Sequence, residues 1–367
     1  MFDYLVVGAG FFGAVFAHEV TRAGKKVLVI EKRDHIGGNC YSWDDEKTGI
    51  NIHKYGPHIF HTRDKNIWNY MTALADFNGY RHRVLTTARG QIYSLPIHLG
   101  TINQFFNLQL TPDEAVAFLK SKTTATLHPL NLEEKAISLV GPELYETLIK
   151  GYTTKQWGCA PRELPAEIIS RLPVRTSNND LYYDDDYQGM PVGGFTPIFE
   201  KLLSGIPVEL NTDFFDRKPY WQSIAGTIVY TGPIDRYFDY RFGKLGWRSC
   251  RFEMESMSLD DYQGVSVMNY ADVDVPYTRI IEPKHFYPER TEASRGTVIM
   301  REYPCNDPDD PYYPVGLKGD REILSAYQKA RKRESNVIFG GRLAEYQYYD
   351  MDQVVAKALE LARRLSG

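Results

Sequence analysis

The sequence predicts an α/β protein in which a βαβ unit opens the chain and the elements that complete it come much later. An apolar run at residues 4–7 is followed by spaced glycines, a helical stretch at residues 14–23 and a second apolar run. Residues 101–160 show helical periodicity, whereas residues 225–303 contain several short β-like runs. An amphipathic helix at residues 352–365 closes the chain. We therefore expect a discontinuous first domain, interrupted by a helical part and a β-rich part.

Composition excludes several classes of function for this chain of 367 residues. Asp and Glu number 47 against 43 Lys and Arg, so the basic excess typical of nucleic-acid-binding proteins is absent, and we expect no nucleic-acid partner. The longest nearly apolar run, residues 4–17, is too short to span a membrane, so we expect no membrane insertion. The N-terminus lacks the basic region of a signal peptide. These observations predict a cytoplasmic protein.

The cysteine and tyrosine contents bear on redox state and on ligands. Cys40, Cys159, Cys250 and Cys305 are far apart and lack metal-type spacing, so they are interpreted as free thiols and no metal site is predicted. The 26 tyrosines suit a polar ligand that contains a ring, because each offers a hydroxyl beside a flat aromatic face. Packed domains also place tyrosines at half-buried positions, and that alternative stays open.

The glycines at the start of the chain form a phosphate-binding pattern. Gly8, Gly10 and Gly13 follow the first apolar run directly and precede a helix, the context that gives G-x-G-x-x-G its meaning. The first glycine permits a tight turn, the second allows close approach of a pyrophosphate, and the third allows helix and strand to pack closely. Glu31 follows the second strand, where a carboxylate accepts hydrogen bonds from ribose hydroxyls. The pattern predicts a bound ADP moiety.

The residues after Glu31 favour FAD over NAD. Gly37-Gly38 lies just beyond the acidic residue, as in FAD proteins of the glutathione-reductase type and especially their amine-oxidase-like branch. No second G-x-G-x-x-G occurs later, so a separate NAD(P)H domain is not expected. No C-x-x-x-x-C pair follows the first helix, which excludes a disulfide reductase.

Helix and strand signals organise the rest of the chain. The peptide TPDE at 111–114 is a capping box with proline at the first helical position. Asn131 can cap a second helix, and Gly141-Pro142 separates it from a third, which we expect to end near Gly151. Further strands are expected at residues 227–231, 251–252, 264–270, 278–281 and 297–303.

Seven peptides stand out, in this order along the chain: HKYGPHIFH at 53–61, KGYTTKQW at 150–157, RLPVR at 171–175, TGPID at 231–235, PYTRIIE at 276–282, PYYPV at 311–315 and FGGRLAEY at 339–346. Together they resemble bacterial UDP-galactopyranose mutases, and the resemblance runs from Met1 to the last helix. It is weakest at residues 79–90, where no substrate contact can be aligned.

The resemblance implies an isomerase that interconverts UDP-galactopyranose and UDP-galactofuranose, with non-covalent FAD that is active when reduced and no net oxidation. It implies a Rossmann-like FAD-binding domain with an inserted helical bundle and a twisted antiparallel β-sheet domain, in a homodimer. The expected FAD-binding domain comprises residues 1–78, 190–240 and 320–367, and the helical bundle residues 98–170. Residues 79–97, 171–189 and 241–319 are expected to form the sheet and substrate domain, with a mobile lid at 171–188.

Ring contraction needs a nucleophile at the anomeric carbon. In the family that nucleophile is N5 of reduced FAD, which displaces UDP and forms a flavin–sugar iminium. The resemblance assigns Arg171 and Arg279 to the departing diphosphate, where the guanidinium fork matches phosphate oxygens. It implies that further substrate contacts come from Tyr182, Tyr313 and Tyr348 at the diphosphate and from Tyr152, Thr153, Trp157 and Asn269 at the uridine end. That these aromatic residues simply belong to the core remains the alternative.

The resemblance also implies a set of flavin contacts. His58 is placed against the flavin as a residue that handles a proton or the flavin state. A metal on His58 and His61 is disfavoured because no third ligand is evident. The other implied cofactor residues, beyond the glycines and Glu31, are Phe12, Lys32, Gly38, Asn39, Ile59, Asp213, Phe214, Arg248, Arg342, Tyr349, Asp350 and Met351. The last three precede the final helix, whose amide-rich N-terminus would stabilise the anionic reduced flavin.

Two other functions stay open from the sequence. One is a redox enzyme of the amine-oxidase-like class, which would have the same glycine pattern but no use for both Arg171 and Arg279. The other is a protein that binds FAD or a nucleotide sugar without catalysis.

Overall fold

The structure is a computed structural model that describes residues 1–123, 128–171, 173–293 and 295–366, with the backbone alone at residues 170, 171 and 291–293. In this part of the chain the strands are β1 (Phe2–Val7), β2 (Val27–Ile30), β3 (Ser42–Asp44), β4 (Asn51–His53), β5 (Phe60–Thr62), β6 (Val84–Ala88), β7 (Gln91–Leu95), β8 (Tyr187–Gly189), β9 (Val208–Glu209), β10 (Ala225–Tyr230), β11 (Trp247–Met257), β12 (Val267–Tyr270), β13 (Arg279–Ile281), β14 (Thr297–Cys305), β15 (Tyr313–Pro314) and β16 (Val337–Phe339).

The α-helices of the described residues are α1 (Phe11–Arg22), α2 (Lys65–Thr72), α3 (Leu99–Phe106), α4 (Pro112–Lys122), α5 (Leu132–Val140), α6 (Pro142–Leu144), α7 (Lys150–Trp157), α8 (Thr196–Leu202), α9 (Lys218–Ile224), α10 (Ile234–Tyr237), α11 (Lys318–Arg331), α12 (Arg342–Glu345) and α13 (Met351–Ser366). Short 3₁₀ turns lie at Gly38–Cys40, Pro161–Glu163, Ala166–Arg171, Phe214–Arg217, Pro283–Phe286 and Pro288–Ala293. Within the described residues, no helix has both the length and the apolar character needed to cross a membrane.

A five-stranded parallel sheet forms the first domain. Its order is β16-β10-β1-β2-β9, so strands from three distant parts of the chain meet in one sheet. The C-terminal helix α13 packs on α1, where Ala14 and Ala17 share an apolar core with Val355 and Ala358. This arrangement confirms the discontinuous Rossmann-like domain. Because the carboxyl ends of β1, β2 and β10 meet at one edge, ligands are expected there.

A seven-stranded sheet forms the β-rich part, in the order β15-β11-β14-β13-β12-β6-β7. All its pairings are antiparallel except β12 with β6, where Met268 lies opposite Leu85 in a parallel register. The sheet is therefore mixed at one junction, because the β6–β7 hairpin comes from an earlier segment and aligns with β12. The strand expected at 251–252 is much longer, spanning Trp247–Met257.

The helical part follows its sequence signals except at one glycine. Thr111 and Glu114 form the expected capping box, and Asn131 accepts the Glu134 N–H at the start of α5. The third helix does not end near Gly151: it continues through a π-turn into α7 and ends at Gly158, with φ +69°. A Cβ at Gly151 would lie 2.1 Å from the carbonyl oxygen of Ala271, so this glycine serves close packing rather than termination.

Candidate active site

A cavity of about 390 Å³ lies at the carboxyl edge of the parallel sheet, where α1 begins. This volume is in the range of small-molecule and cofactor sites. Most of the predicted cofactor residues line it, namely Gly8, Gly10, Phe12, Gly13, Glu31, Lys32, Gly38, Asn39, His58, Asp213, Phe214, Arg342 and Met351. Since Met351 is the first residue of α13, the N-terminus of that helix reaches the cavity.

The glycine turn leaves space that side chains would fill. Gly8 has φ +110°, and a Cβ at Gly13 would lie 2.0 Å from the Gly8 carbonyl oxygen. A Cβ at Gly10 would lie 3.8 Å from the Cα of Gly38, so the two glycine segments face each other closely. Helix α1 has no side-chain cap at Gly10, which leaves its first N–H groups for a ligand. The geometry fits a pyrophosphate at this helix N-terminus.

Glu31 is held with its carboxylate in a fixed position at the end of β2. Its Oε2 accepts the N–H of Ala9 at 2.8 Å, and its Oε1 accepts the N–H of Arg33 at 3.0 Å. The residue is 7% exposed, so these bonds pin it between the glycine turn and the following loop. Each carboxylate oxygen keeps a further acceptor site. The arrangement fits the predicted contact with ribose hydroxyls.

A strap at residues 306–311, from the β-rich part, crosses to the βαβ unit and was not expected from the sequence. Arg33 donates to Asp310 at 2.5 Å and lies 4.2 Å above the ring of Tyr55. Lys32 Nζ donates to the carbonyl oxygen of Asp309 at 2.6 Å. Asp309 and Asp310 line the cavity themselves. The adjacent cations after Glu31 were the available signal, but their acidic partners lie almost 280 residues away in sequence.

His58 lines the cavity as a neutral base. Its Nδ1 is 2.9 Å from the carbonyl oxygen of Gly56, and because a carbonyl can only accept, Nδ1 carries the proton. Burial, with the positive charges of Arg342 and Arg279, lowers the pKa of His58 to about 4, against the hydrogen bond to the Gly56 carbonyl, which raises it. The imidazole is therefore neutral near pH 7, with Nε2 as an acceptor.

Four predicted cofactor residues do not line the cavity in the described part of the chain: Ile59, Arg248, Tyr349 and Asp350. Arg248 instead donates to the carbonyl oxygens of Gln156 at 2.9 Å and Lys155 at 3.2 Å, and to the side chain of Asn306. Its guanidinium thus covers the C-terminal carbonyls of α7, where a cation is favourable. Tyr349 contributes a carbonyl oxygen that accepts from Arg342 at 2.8 Å, and Ile59 is buried in the apolar core.

Arg279, whose side chain is 21% exposed, is the centre of a second cluster. Its Nε donates at 2.7 Å to Glu302, a carboxylate with 0% exposure, which also lies 3.2 Å from the Thr278 hydroxyl. Glu302 and the phenolic oxygens of Tyr152 and Tyr313 raise the pKa of Arg279 well above its usual value, against the effect of burial. The guanidinium is therefore permanently charged. The sequence predicted Arg279 and the tyrosines but missed Glu302, which reads in sequence as an ordinary strand residue.

The predicted diphosphate tyrosines gather around this cation. Tyr313 stacks on Tyr348 with ring centroids 5.6 Å apart. Burial raises the pKa of Tyr152, and Tyr182 adds to that rise, which places the two phenols in the same surroundings. His82 is a further member that the sequence missed: its ring is 5.4 Å from that of Tyr182, and burial lowers its pKa to about 3. It falls in the stretch where no contact could be aligned.

Three polar atoms near the predicted uridine residues are buried without a hydrogen-bond partner. They are Asn269 Oδ1, Thr86 Oγ1 and Gln156 Oε1. Asn269 and Thr86 lie opposite each other in the β12–β6 ladder, and Gln156 lies between Thr153 and Trp157 on α7. Because buried polar groups are nearly always paired, these three atoms fit a polar ligand. None of the predicted substrate residues with a described side chain lines the cofactor cavity.

The structure describes most of the predicted lid but not the side chain of Arg171, the second predicted arginine. Arg171 ends the turn Ala166–Arg171, but its side chain and all of Leu172 lie outside the described residues. Its phosphate contact stays a prediction. The acidic run of the lid is held by hydrogen-bonded ion pairs rather than fully solvated: Asp185 accepts from His61 at 2.5 Å and from Arg63 at 2.9 Å. Asp180 pairs with Arg83 at 2.9 Å.

Comparison with known proteins agrees with this geometry. A family model described as UDP-galactopyranose mutase matches residues 147–348, and a model of NAD(P)-binding Rossmann-like domains matches residues 6–74. A crystal structure of reduced UDP-galactopyranose mutase has the same fold, with a TM-score of 0.76 at 16% identity over 100% of this chain and 95% of that one.

Two relatives align along nearly the whole length. A probable UDP-galactopyranose mutase from Klebsiella pneumoniae is 44% identical, over 98% of this chain and 94% of the relative. A dTDP-fucopyranose mutase from Escherichia coli is 42% identical, over 98% of this chain and 97% of the relative. With these full-length relatives and a family model that matches more than half of its residues, the chain belongs to the UDP-galactopyranose mutase family.

Proposed function

We propose that the protein interconverts UDP-galactopyranose and UDP-galactofuranose with non-covalently bound FAD that must be reduced. The observation that carries the proposal is the charged Arg279 cluster beside a dinucleotide cavity, with His58 between them: it lines the cavity, and the charge of Arg279 lowers its pKa. A redox enzyme that shared the cavity would have no need for a buried cation ringed by tyrosines. Reduced FAD would supply the nucleophilic N5 atom that attacks the anomeric carbon, without net oxidation.

Arg279 is proposed to bind the diphosphate as it departs. Glu302 accepts from the Nε of Arg279, which leaves the two Nη groups of Arg279 for phosphate oxygens. Because Glu302 is buried and hydrogen-bonded, it fixes the plane of the guanidinium and lowers the entropy lost on binding. The hydroxyls of Tyr182, Tyr313 and Tyr348 would add neutral donors. Arg171 would supply a second charge.

His58 is proposed to handle a proton at Nε2 next to the flavin. Its neutral state near pH 7 allows Nε2 to accept a proton during turnover, and the Gly56 carbonyl then stabilises the Nδ1–H. Tyr152, Thr153, Trp157 and Asn269 are proposed to bind the uridine end. Ile59, Asp350 and Tyr349 stay as proposed cofactor contacts, the last acting through Arg342.

The domain division given above is kept as part of the proposal, with residues 171–188 as a lid over the sugar. The lid would keep water from the reacting carbon and open for exchange of the nucleotide sugar. A homodimer in the cytoplasm is also proposed. The four cysteines are free, as a reducing compartment requires. Light scattering should give twice the chain mass of 42.2 kDa.

Conversion of UDP-galactofuranose by reduced and oxidised protein, followed by chromatography, tests the proposal. We expect conversion by the reduced protein alone, without consumption of NAD(P)⁺. Equal turnover in both states would overturn it.

A second candidate is conversion of dTDP-fucose between its ring forms. The Escherichia coli relative with that name is 42% identical, close to the 44% of the Klebsiella pneumoniae relative. Parallel assays with both nucleotide sugars decide between them through the ratio of kcat/KM. We commit to the UDP-galactose pair because the family model carries that description.

A further inference from the structure

The ammonium group of Lys155 lies inside a shell of backbone carbonyls. Its Nζ is 2.8 Å from the carbonyl oxygens of Tyr270 and Asp272, and 3.0 Å from those of Val275 and Tyr277. An ammonium has three N–H donors, so four acceptors use all of its hydrogen-bonding capacity. Carbonyl oxygens that converge on one point repel each other without a cation, and the same kind of shell holds K⁺ in ion channels.

The shell is made by the turn at residues 270–277, which joins β12 to β13. This turn sets the positions of Asn269 and Arg279, which lie opposite each other in the β12–β13 ladder. Lys155 itself lies on α7, between Thr153 and Trp157. The Lys155 side chain therefore connects two elements. Helix α7 carries the proposed uridine contacts, and the β12–β13 hairpin carries the proposed diphosphate cation.

The backbones of the helix and the turn are also in close contact. Gly151 lies one helical turn before Lys155 on the same face. A Cβ at Gly151 would lie 2.1 Å from the Ala271 carbonyl oxygen and 3.1 Å from a Val273 side-chain carbon. A small residue and a cation at this spacing bring α7 directly onto the turn. The contact therefore fixes the distance between α7 and the turn, in addition to pairing a cation with carbonyl oxygens.

We propose that Lys155 is a positioning residue for the proposed mutase reaction: its ammonium fixes the 270–277 turn against α7 and so sets the distance from the uridine contacts to Arg279. The inference rests on the proposed function. Lys155 does not contact the substrate, because its three donors are directed to the turn. Loss of the Lys155 ammonium separates two walls of one site and weakens the binding of every nucleotide that contacts both walls.

Charge around Lys155 supports this role. Burial lowers the pKa of Lys155 to about 8, and the carboxylates of Asp272 and Asp274 oppose that shift. The ammonium is thus charged at neutral pH, where the mutase would work.

Lys155→Met tests the proposal, because Met keeps a long unbranched side chain without the charge. Lys150→Met is the matched control: Lys150 opens the same helix, has a side chain that is 44% exposed, and pairs with Glu146 at 2.9 Å. The measurements are UDP affinity by calorimetry, KM and kcat of the reduced enzyme, FAD content and Tm. We expect Lys155→Met to weaken UDP binding and raise KM about tenfold with FAD retained, and Lys150→Met to stay within twofold. Wild-type UDP affinity in Lys155→Met would overturn the proposal.

Chemical rescue covers the case in which Lys155→Met does not fold. Lys155→Ala, purified in n-propylammonium chloride, regains the missing three carbons and the ammonium, and we expect at least threefold tighter UDP binding than in tetramethylammonium chloride, which has no N–H. Equal UDP affinity in the two salts would overturn the proposal. If the wild-type protein binds UDP but converts no sugar, the proposed function fails, while the UDP affinities still decide the role of Lys155.

Discussion

The cofactor cavity and the Arg279 cluster differ in how they are built and in the groups that they offer to a ligand. The glycine turn, Glu31 and the Gly37-Gly38 pair lie within 38 residues of the N-terminus and surround a cavity of about 390 Å³. The Arg279 cluster draws on Tyr152, Tyr182, Glu302 and Tyr313, which come from distant parts of the chain, and the cavity does not extend to it. The first region is a preformed cavity, whereas the second is an ion pair whose cation stays 21% exposed.

The difference shows what each ligand requires of the protein. A pyrophosphate is bound by backbone N–H groups, so the first site depends on backbone shape and persists without a ligand. A departing diphosphate needs localised charge, and a buried charge is stable only with a partner such as Glu302. In the Arg279 cluster the buried Glu302 therefore stabilises the cation, and the guanidinium keeps an exposed part that a substrate can contact.

Arg279→Ala should give the largest effect, confined to the Arg279 cluster. The variant loses charge-assisted contacts worth about 1.5–3 kcal/mol each to the phosphates, so kcat should fall about 100-fold or more while the flavin spectrum is unchanged. Steady-state kinetics of the reduced enzyme measure this. Arg279→Lys should recover little, because lysine lacks the planar fork. A normal kcat with only a raised KM would demote Arg279 to a residue that binds ground and transition states equally.

Acid should destabilise the Arg279 cluster through His82. Burial, with help from Arg279 and His61, lowers the pKa of His82 to about 3, below its value of about 6.5 in the unfolded chain. The unfolded state then binds more protons below pH 6.5, so the free energy of unfolding falls as pH falls, by roughly 2 kcal/mol at pH 5 from this residue. Urea unfolding at pH 7 and pH 5 should show a smaller loss in His82→Gln than in wild type. The exposed His128→Gln should behave as wild type, and equal losses in all three would refute the argument.

Glu31→Gln should affect the cavity and leave the cluster intact. The two carboxylate oxygens of Glu31 accept the N–H groups of Ala9 and Arg33. In the variant an NH₂ group replaces one of these oxygens, so a donor would face a donor. We expect FAD affinity to fall about tenfold, the size of one hydrogen bond to a charged group. Fluorescence titration of apoprotein with FAD measures this. UDP affinity of the FAD-saturated variant should match wild type. A parallel fall in UDP affinity would show that the two regions do not act independently.

The same difference explains how much the sequence could predict. The glycine turn, the capping box at Thr111 and the parallel sheet follow from local backbone demands that particular residues satisfy. Arg248 was assigned to the cofactor by the resemblance, and the peptide around it does not tell which carbonyls its guanidinium will contact. Gly151 was interpreted as a helix end for a similar reason, since its close neighbour Ala271 is 120 residues away. The carbonyl shell of Lys155 could not be predicted, because backbone oxygens leave no trace in the sequence.

The lid should give the smallest effect, because it is already partly held in place. Asp185 binds His61 and Arg63, and the N–H of Tyr182 donates to the His82 carbonyl oxygen at 2.8 Å. Because these contacts involve no phosphate, UDP would add only the phosphate contacts of Tyr182 and Arg171 to the closed state, and a ligand shifts an equilibrium only by its differential affinity. We expect saturating UDP to slow cleavage by an Asp-specific endoproteinase at residues 180–186 about threefold. UMP, which lacks the second phosphate, should protect less, and equal cleavage rates with and without UDP would show that this segment is not a lid.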